Sequence, residues 1–294
     1  MPTFPPAASV WQHFTLNDWQ IIALADGTTT VDLTQVLLDR EVQAVMPLLD
    51  AAGLTNPVTI SINAYLLDNG RQRFLLDTGA GGLMGGTAGH LIASLAQAGY
   101  QPDQIDAVLL THIHGDHSGG LLSGESLAFP NAVVYVNELD TAYWLSETQM
   151  RQAPAARQRS FENARRKLLP YQAAGKLRPF TAGSALLPGI ATLGRPGHTP
   201  GHTYYILEEL GTRLVFCADL AHFVPLQLAD PTIALVYDVD PAQAIHSRQL
   251  ALAEASAAGY WLAAAHAPFP GIGRIEVAKT GYRWQPIDAA TSTL

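Results

Sequence analysis

The chain has 294 residues, 48% of them hydrophobic, with a formal net charge of −8 and a pI near 5.6. That is enough apolar material for a sizeable core, and the length suits one large domain or two half-sized ones. The acidic balance argues against a protein that tracks nucleic-acid phosphates, the single cysteine (Cys217) rules out an intrachain disulfide, and no apolar stretch is long enough to span a bilayer.

In chain order, the opening stretch Met1 to Pro6 carries neither the basic nor the apolar region of a signal peptide, so a cytoplasmic location with no membrane partner is expected. Residues 20–25 read as a strand ending at the turn signal Asp26-Gly27, and 31–49 carry apolar residues at mixed helical spacing. Residues 60–67 and 73–76 read as two strands joined at Asp68, Asn69 and Gly70, a strong hairpin signal. The second ends at Asp77-Thr78-Gly79, before a glycine-rich stretch. Residues 90–98 have a helical pattern, stopped by Gly99. The apolar run 107–110 predicts a buried strand, and 132–136 the next one. Residues 141–174 predict helix and hold Arg151, Arg157, Arg159, Arg165, Arg166 and Lys167. Such a cluster is a solvated face, or else a lid or dimer element with Trp144 and Phe161 turned inward. Strands at 191–193, 203–207, 213–217, 233–236 and 260–264, with a helix at 243–258, complete the pattern. There is no close internal repeat. The simplest architecture is a single domain over 1–294 with two similar halves, about 20–140 and 175–294, and a helical insertion at 141–174.

Directly after the strand at 107–110 stand His112, Ile113, His114, Gly115, Asp116 and His117, four metal-competent side chains in six residues. A strand end feeding such a loop is where α/β proteins build sites. His112 and His114 project the same way from an extended loop; Asp116 and His117 turn towards a second point at a helix start. Three further candidates each follow or adjoin a predicted strand: His198, Asp219 and His266. Singly each reads as structural. Together with the run they make five His and two Asp, a set that suits two adjacent divalent ions. Two cations on one water bring its pKa towards neutrality and make it a nucleophile.

With the segments 63–67, 76–83, 98–102, 111–121, 196–203, 218–220 and 230–238, the chain resembles the metallo-β-lactamase superfamily, and within it the branch of methyl parathion hydrolase and related lactonases, from about 20 to 275. The resemblance implies an α/β fold: a four-layer αβ/βα sandwich of two mixed β-sheets flanked by helices, with the site at one edge between the sheets. It implies His112, His114 and His198 on one ion, Asp116, His117 and His266 on the other, and Asp219 bridging. The ions are expected to be zinc, with manganese, cobalt or iron as alternatives. It also implies a homodimer. The expected chemistry is a metal-bridging hydroxide that opens lactones or cleaves aryl esters. Organophosphate triester hydrolysis is the alternative, and a single-iron sulfur dioxygenase is a different class that shares the run. A non-catalytic lactone sensor would have no need of every ligand, and a ribonuclease-like member would want a basic surface.

Other residues carry two readings. Asp77 is an Asx-turn residue or an acceptor that orients the metal loop. His202 reads as structural and Cys217 as a buried strand residue. His222 lies three residues after Asp219, where many lactonases of the superfamily place a substrate-contacting Tyr. A His there could hydrogen-bond a lactone or ester oxygen or protonate a leaving alkoxide, which would put it beside Asp116 and Asp219 in the catalytic set. Leu83, Met84, Trp144, Phe161, Phe223 and Tyr237 are candidate pocket walls. Few positive residues adjoin the ligands in sequence, so the expected partner is a small neutral lactone, ester or organophosphate.

Overall fold

The computed structural model describes residues 9–183, 185–288 and 290–294, so the opening Met1 to Pro6 lies outside the described residues. The first half of the chain builds one sheet. β1 (Trp11–Leu16), β2 (Trp19–Val31), β3 (Val58–Asp68) and β4 (Arg73–Leu76) are successive antiparallel neighbours. β5 (Ala107–Leu109) adds in parallel and, past a small hairpin of β6 (Leu122–Ser123) and β7 (Ser126–Leu127), so do β8 (Val133–Asn137) and β9 (Leu177–Phe180). The second sheet runs in order through β10 (Ala185–Leu187), β11 (Ile190–Gly194), β12 (Thr203–Glu209), β13 (Thr212–Ala218), β14 (Trp261–Ala264), β15 (Ile272–Val277) and β16 (Tyr282–Pro286). In it only β13 and β14 are parallel neighbours. The helices are α1 (Met46–Ala51), α2 (Leu91–Gln97), α3 (Gly115–Ser118), α4 (Glu138–Trp144), α5 (Glu147–Gln152), α6 (Ala155–Ala173), α7 (Val224–Ala229) and α8 (Pro241–Ala258).

Alternation along β2 explains the layering. Ile21 and Ala23 turn towards the second sheet, while Ile22 and Leu24 turn away from it, and all four are buried. A strand apolar on both faces must be covered on both. Between the sheets, Phe14, Tyr65 and Phe74 meet Tyr205, Leu214 and Phe216. The outer face of the first sheet is covered through Leu95 of α2, Trp144 of α4, and Phe161 and Leu168 of α6. That of the second is covered through Leu228 of α7 and Leu252 and Ala255 of α8. The order helix, sheet, sheet, helix is the expected αβ/βα sandwich. Each fully buried Leu or Phe contributes about 1.5–3 kcal/mol.

Several elements differ from expectation, each for a local reason. Asp26-Gly27 does not end β2; the strand runs on through a bulge between Ala25 and Gly27. The Asp26 carboxylate turns inward and accepts from the backbone N–H groups of Ala80, Gly89 and Leu91 at 2.9–3.0 Å. It therefore anchors the glycine-rich loop. Residues 31–49 are not one helix: 3-10 turns at Leu33–Gln35 and Val42–Ala44 precede α1. Residues 233–236 form only an isolated antiparallel bridge, Leu37 to Leu235, and no strand, because side chains take the neighbouring backbone groups. Gln227 and Arg248 donate to the Ile233 carbonyl, and Asp238 accepts from the Leu235 N–H. The helical segment expected at 141–174 begins earlier, at Glu138, and is three helices, with breaks at the Ser146 cap of α5 and at Pro154 before α6.

Candidate metal centre

Parallel strands place their carboxyl ends at one edge, which is where open α/β sheets bind ligands. Asp77 directly follows β4, β5 runs on into His112, His114 and α3, Asp219 directly follows β13, and His266 lies two residues past β14. The connection from β11 to β12 supplies His198. Asp77 (φ 61°) and Ala218 (φ 41°) turn the chain sharply at two of these ends, a conformation that costs a residue with a Cβ about 1–3 kcal/mol. Gly197 is required for a similar reason. Its φ is +125°, and a Cβ there would lie 2.1 Å from the Ala244 nitrogen of α8.

Asp219 is buried at the centre and divides its oxygens. Oδ2 lies 3.1 Å from His198 Nε2 and 3.6 Å from His112 Nε2, while Oδ1 lies 3.0 Å from His117 Nε2 and 3.3 Å from His266 Nε2. Asp116 Oδ2 sits 3.7 Å from His117 Nε2 and 3.6 Å from His266 Nε2. His114 turns Nδ1 towards His198 Nε2 at 2.9 Å. The structure thus gathers His112, His114, His198 and Asp219 in one group and Asp116, His117 and His266 in another, ligand atoms within 4.8 Å inside each group.

The opposite ring nitrogens are held. His117 Nδ1 meets Asp77 Oδ2 at 2.8 Å, His198 Nδ1 meets Asp238 Oδ1 at 2.9 Å, and His266 Nδ1 meets the Ser61 carbonyl at 2.8 Å. Asp77 also accepts from the N–H and hydroxyl of Thr111, both at 2.8 Å, so one carboxylate fixes the loop start and the His117 ring. His202 faces the Arg195 carbonyl through Nδ1 at 3.1 Å and accepts the Asp219 N–H through Nε2 at 3.3 Å. Burial draws its pKa down to about 3, which suits a neutral ring that braces Asp219 from behind. Asp140 of α4 accepts from Ile113 N–H, Thr199 Oγ1 and Gly201 N–H at 2.8, 3.0 and 2.6 Å, joining the two histidine loops. Burial pushes its carboxyl up to about 6 against those three donors.

These residues fit divalent ions on two grounds. Buried His112 Nε2, His117 Nε2, His266 Nε2 and Asp219 Oδ1 have no hydrogen-bond partner, a cost that metal coordination removes. The centre also calls for positive charge. Burial would raise the Asp219 carboxyl, yet the surrounding imidazoles hold it well below its usual range. Burial would lower His198, yet Asp219 and Asp238 push it up to about 9. Zinc or a similar cation supplies that charge without protons on the ligands.

A cavity of about 570 Å³ opens over the centre, lined by His114, Asp116, Asp219 and His222 and by Val31, Ile60, Met84, Trp144, Val236 and Tyr237 among others. His222 Nε2 lies 3.1 Å from Asp219 Oδ2, and its ring stacks on His266 at 5.1 Å. Gln227 Oε1 accepts the His222 N–H at 2.8 Å and fixes its place. Of the expected wall residues, Met84, Trp144 and Tyr237 line the cavity. Leu83 sits behind Gly115, its Cδ1 3.2 Å from where a Cβ would stand. Phe161 and Phe223 do not line it: both are fully buried, Phe161 packing behind Trp144 at 4.7 Å and Phe223 against Leu33 and Leu235. Arg157 of α6 is the one arginine or lysine among the described residues that line the cavity. Asp140 and Gln227 carried no sequence signal, because each acts on groups that only the fold brings near; Asp238 closed the segment 230–238 of the resemblance without a role being assigned to it.

Comparison with known proteins gives the family. The Metallo-beta-lactamase superfamily profile matches residues 58–266. The crystal structure of hydrolase AbOPH in the beta lactamase superfamily superposes with a TM-score of 0.90 at 34% identity, over 96% of this chain and 99% of that one. AidC, a dizinc quorum-quenching lactonase solved with the product N-hexnoyl-L-homoserine, gives 0.88 at 24% identity, over 95% and 97%. Ribonuclease TTHA0252 of Thermus thermophilus is 32% identical over 181 residues, 60% of this chain but only 39% of that protein. Fold, centre and matched profile agree: the chain belongs to the metallo-beta-lactamase superfamily.

Proposed function

We propose that this metal-dependent hydrolase of the superfamily opens lactones or cleaves aryl esters. One observation carries the reading: Asp219 offers an oxygen to each of two histidine sets on the floor of a largely apolar cavity. His112, His114 and His198 would hold one divalent ion and Asp116, His117 and His266 the other, with Asp219 shared and zinc the expected metal. Bound there, the ions supply a water ionised near neutral pH and a Lewis acid for the carbonyl oxygen. Val31, Ile60, Met84 and Trp144 exclude bulk water and hold the apolar part of the substrate. His222 lines the cavity beside Asp219, and burial favours its neutral ring, which suits a hydrogen bond to a lactone or ester oxygen. The largely apolar cavity supports a lactone or ester substrate. The ribonuclease match spans too little of that protein to carry its activity here.

The test is the initial rate of zinc-loaded protein on dihydrocoumarin, an acyl-homoserine lactone and methyl paraoxon. A kcat/KM preference for the carbonyl substrates is expected. A preference for the phosphotriester would overturn the reading in favour of organophosphate hydrolysis.

A further inference from the structure

Charge is most uneven in the insertion. Residues 147–167 hold six of the chain's 17 lysines and arginines against two acids, Glu147 and Glu162, in a protein of net charge −8. Among the described residues only Arg165 of these six has a carboxylate partner, Glu147 at 3.0 Å. Arg157 is the one that reaches the cavity, where it forms a wall with Pro154, Ala156 and, one helical turn on, Ser160. Its Nη2 donates to the backbone carbonyls of Val236 and Asp238 at 3.3 and 3.0 Å, which fixes the side chain. The remaining guanidinium N–H groups and the Ser160 hydroxyl have no hydrogen-bond partner among the described residues.

A fixed guanidinium without a carboxylate partner, in a cavity whose other walls are largely apolar, favours an anion; Nη2, the nitrogen both guanidinium forks share, is taken by the carbonyls, so the remaining N–H groups bind singly and the Ser160 hydroxyl offers the second bond. The first turn of α6 carries no acidic residue, so its dipole adds in the same direction. We propose that Arg157 and Ser160 form a recognition corner for a carboxylate carried on the substrate away from the scissile carbonyl. Building on the hydrolase reading above, the preferred substrates are then acidic esters or lactones. Arg151, Arg159 and Arg166 are exposed on the same helical segment and add positive potential to it, so association of such anions should slow as salt rises.

Calorimetric titration of the zinc-loaded protein with hexanoate and with adipate tests this. One carboxylate is common to both, so the ratio of affinities isolates the second. Adipate is expected to bind about tenfold tighter, roughly 1.4 kcal/mol. Arg157→Met should bring the ratio near unity, and Ser160→Ala, which leaves the Val236 and Asp238 clamp in place, should lower it about threefold. Arg283→Met, the same charge change on remote β16, should keep it. Equal affinities in the wild type, or a ratio unmoved in both the Arg157 and Ser160 variants, overturn the proposal. Rates on 4-nitrophenyl hydrogen adipate and 4-nitrophenyl hexanoate separate it from the hydrolase reading. Cleavage of both esters without preference overturns the carboxylate corner alone. Cleavage of neither, with the tenfold binding ratio intact, overturns the ester reading alone.

Discussion

Asp219 turns one oxygen towards each histidine set, so a single substitution separates a shared centre from two independent ones. Asp219→Ala is expected to bring metal content below two ions per chain, read by plasma emission, and to abolish turnover. Two ions per chain with intact activity would contradict the shared role. Asp77→Asn changes no ligand but removes an acceptor from His117 and Thr111; metal affinity should fall about 10–100-fold in chelator competition. His222→Leu should lower lactone turnover while metal content stays at wild-type level, and unchanged lactone kinetics would remove His222 from the reaction. At this scale the sequence was informative where chemistry is contiguous. His112 to His117 stand out because four donors fall within one short run. The partners of Asp238 and Arg157 were illegible, since an aspartate 40 residues from His198 and an arginine bonded to carbonyls 79 and 81 residues away leave no pattern in the chain.

Elements carry the spacing between these residues. α4 brings Asp140 under both histidine loops, and its carboxylate is the common acceptor for Ile113, Thr199 and Gly201. Asp140→Ala leaves three donors without their acceptor and should cost about 3–5 kcal/mol in urea denaturation, with weaker metal binding besides. Gly197→Ala forces a methyl against the backbone of α8 and should cost about 3 kcal/mol or more by the same measurement. A wild-type midpoint in the second variant would mean that the His198 loop and α8 part easily. Strand periodicity made most of both sheets legible, and the Asp68 to Gly70 hairpin with them. It failed where a side chain replaces a neighbouring strand or ends a pattern from a distance. The Ile233 segment is tied by Gln227 and Arg248, and Asp26 resembles a turn residue because its three N–H partners lie 54 to 65 positions later.

At the scale of the whole molecule, the candidate metal residues come from both sheets: His112 to His117 follow β5 of the first, while His198, Asp219 and His266 come from the second. Ions held there would bind the folded state and not the unfolded chain, and so would add to stability by mass action. Chelation should lower the calorimetric melting temperature by at least about 5 °C, with recovery on adding zinc. An unchanged melting temperature would mean that the sheets need no help from the ions to stay together. Cys217 gives a way to time that opening. It is the chain's one thiol, fully buried on β13 two positions before Asp219, and burial holds it in the unreactive protonated form. A thiol reagent can therefore reach it only when β13 leaves the packing of α7 and α8. Its labelling rate acts as a clock on the second sheet, one expected to run slower with ions bound than after chelation.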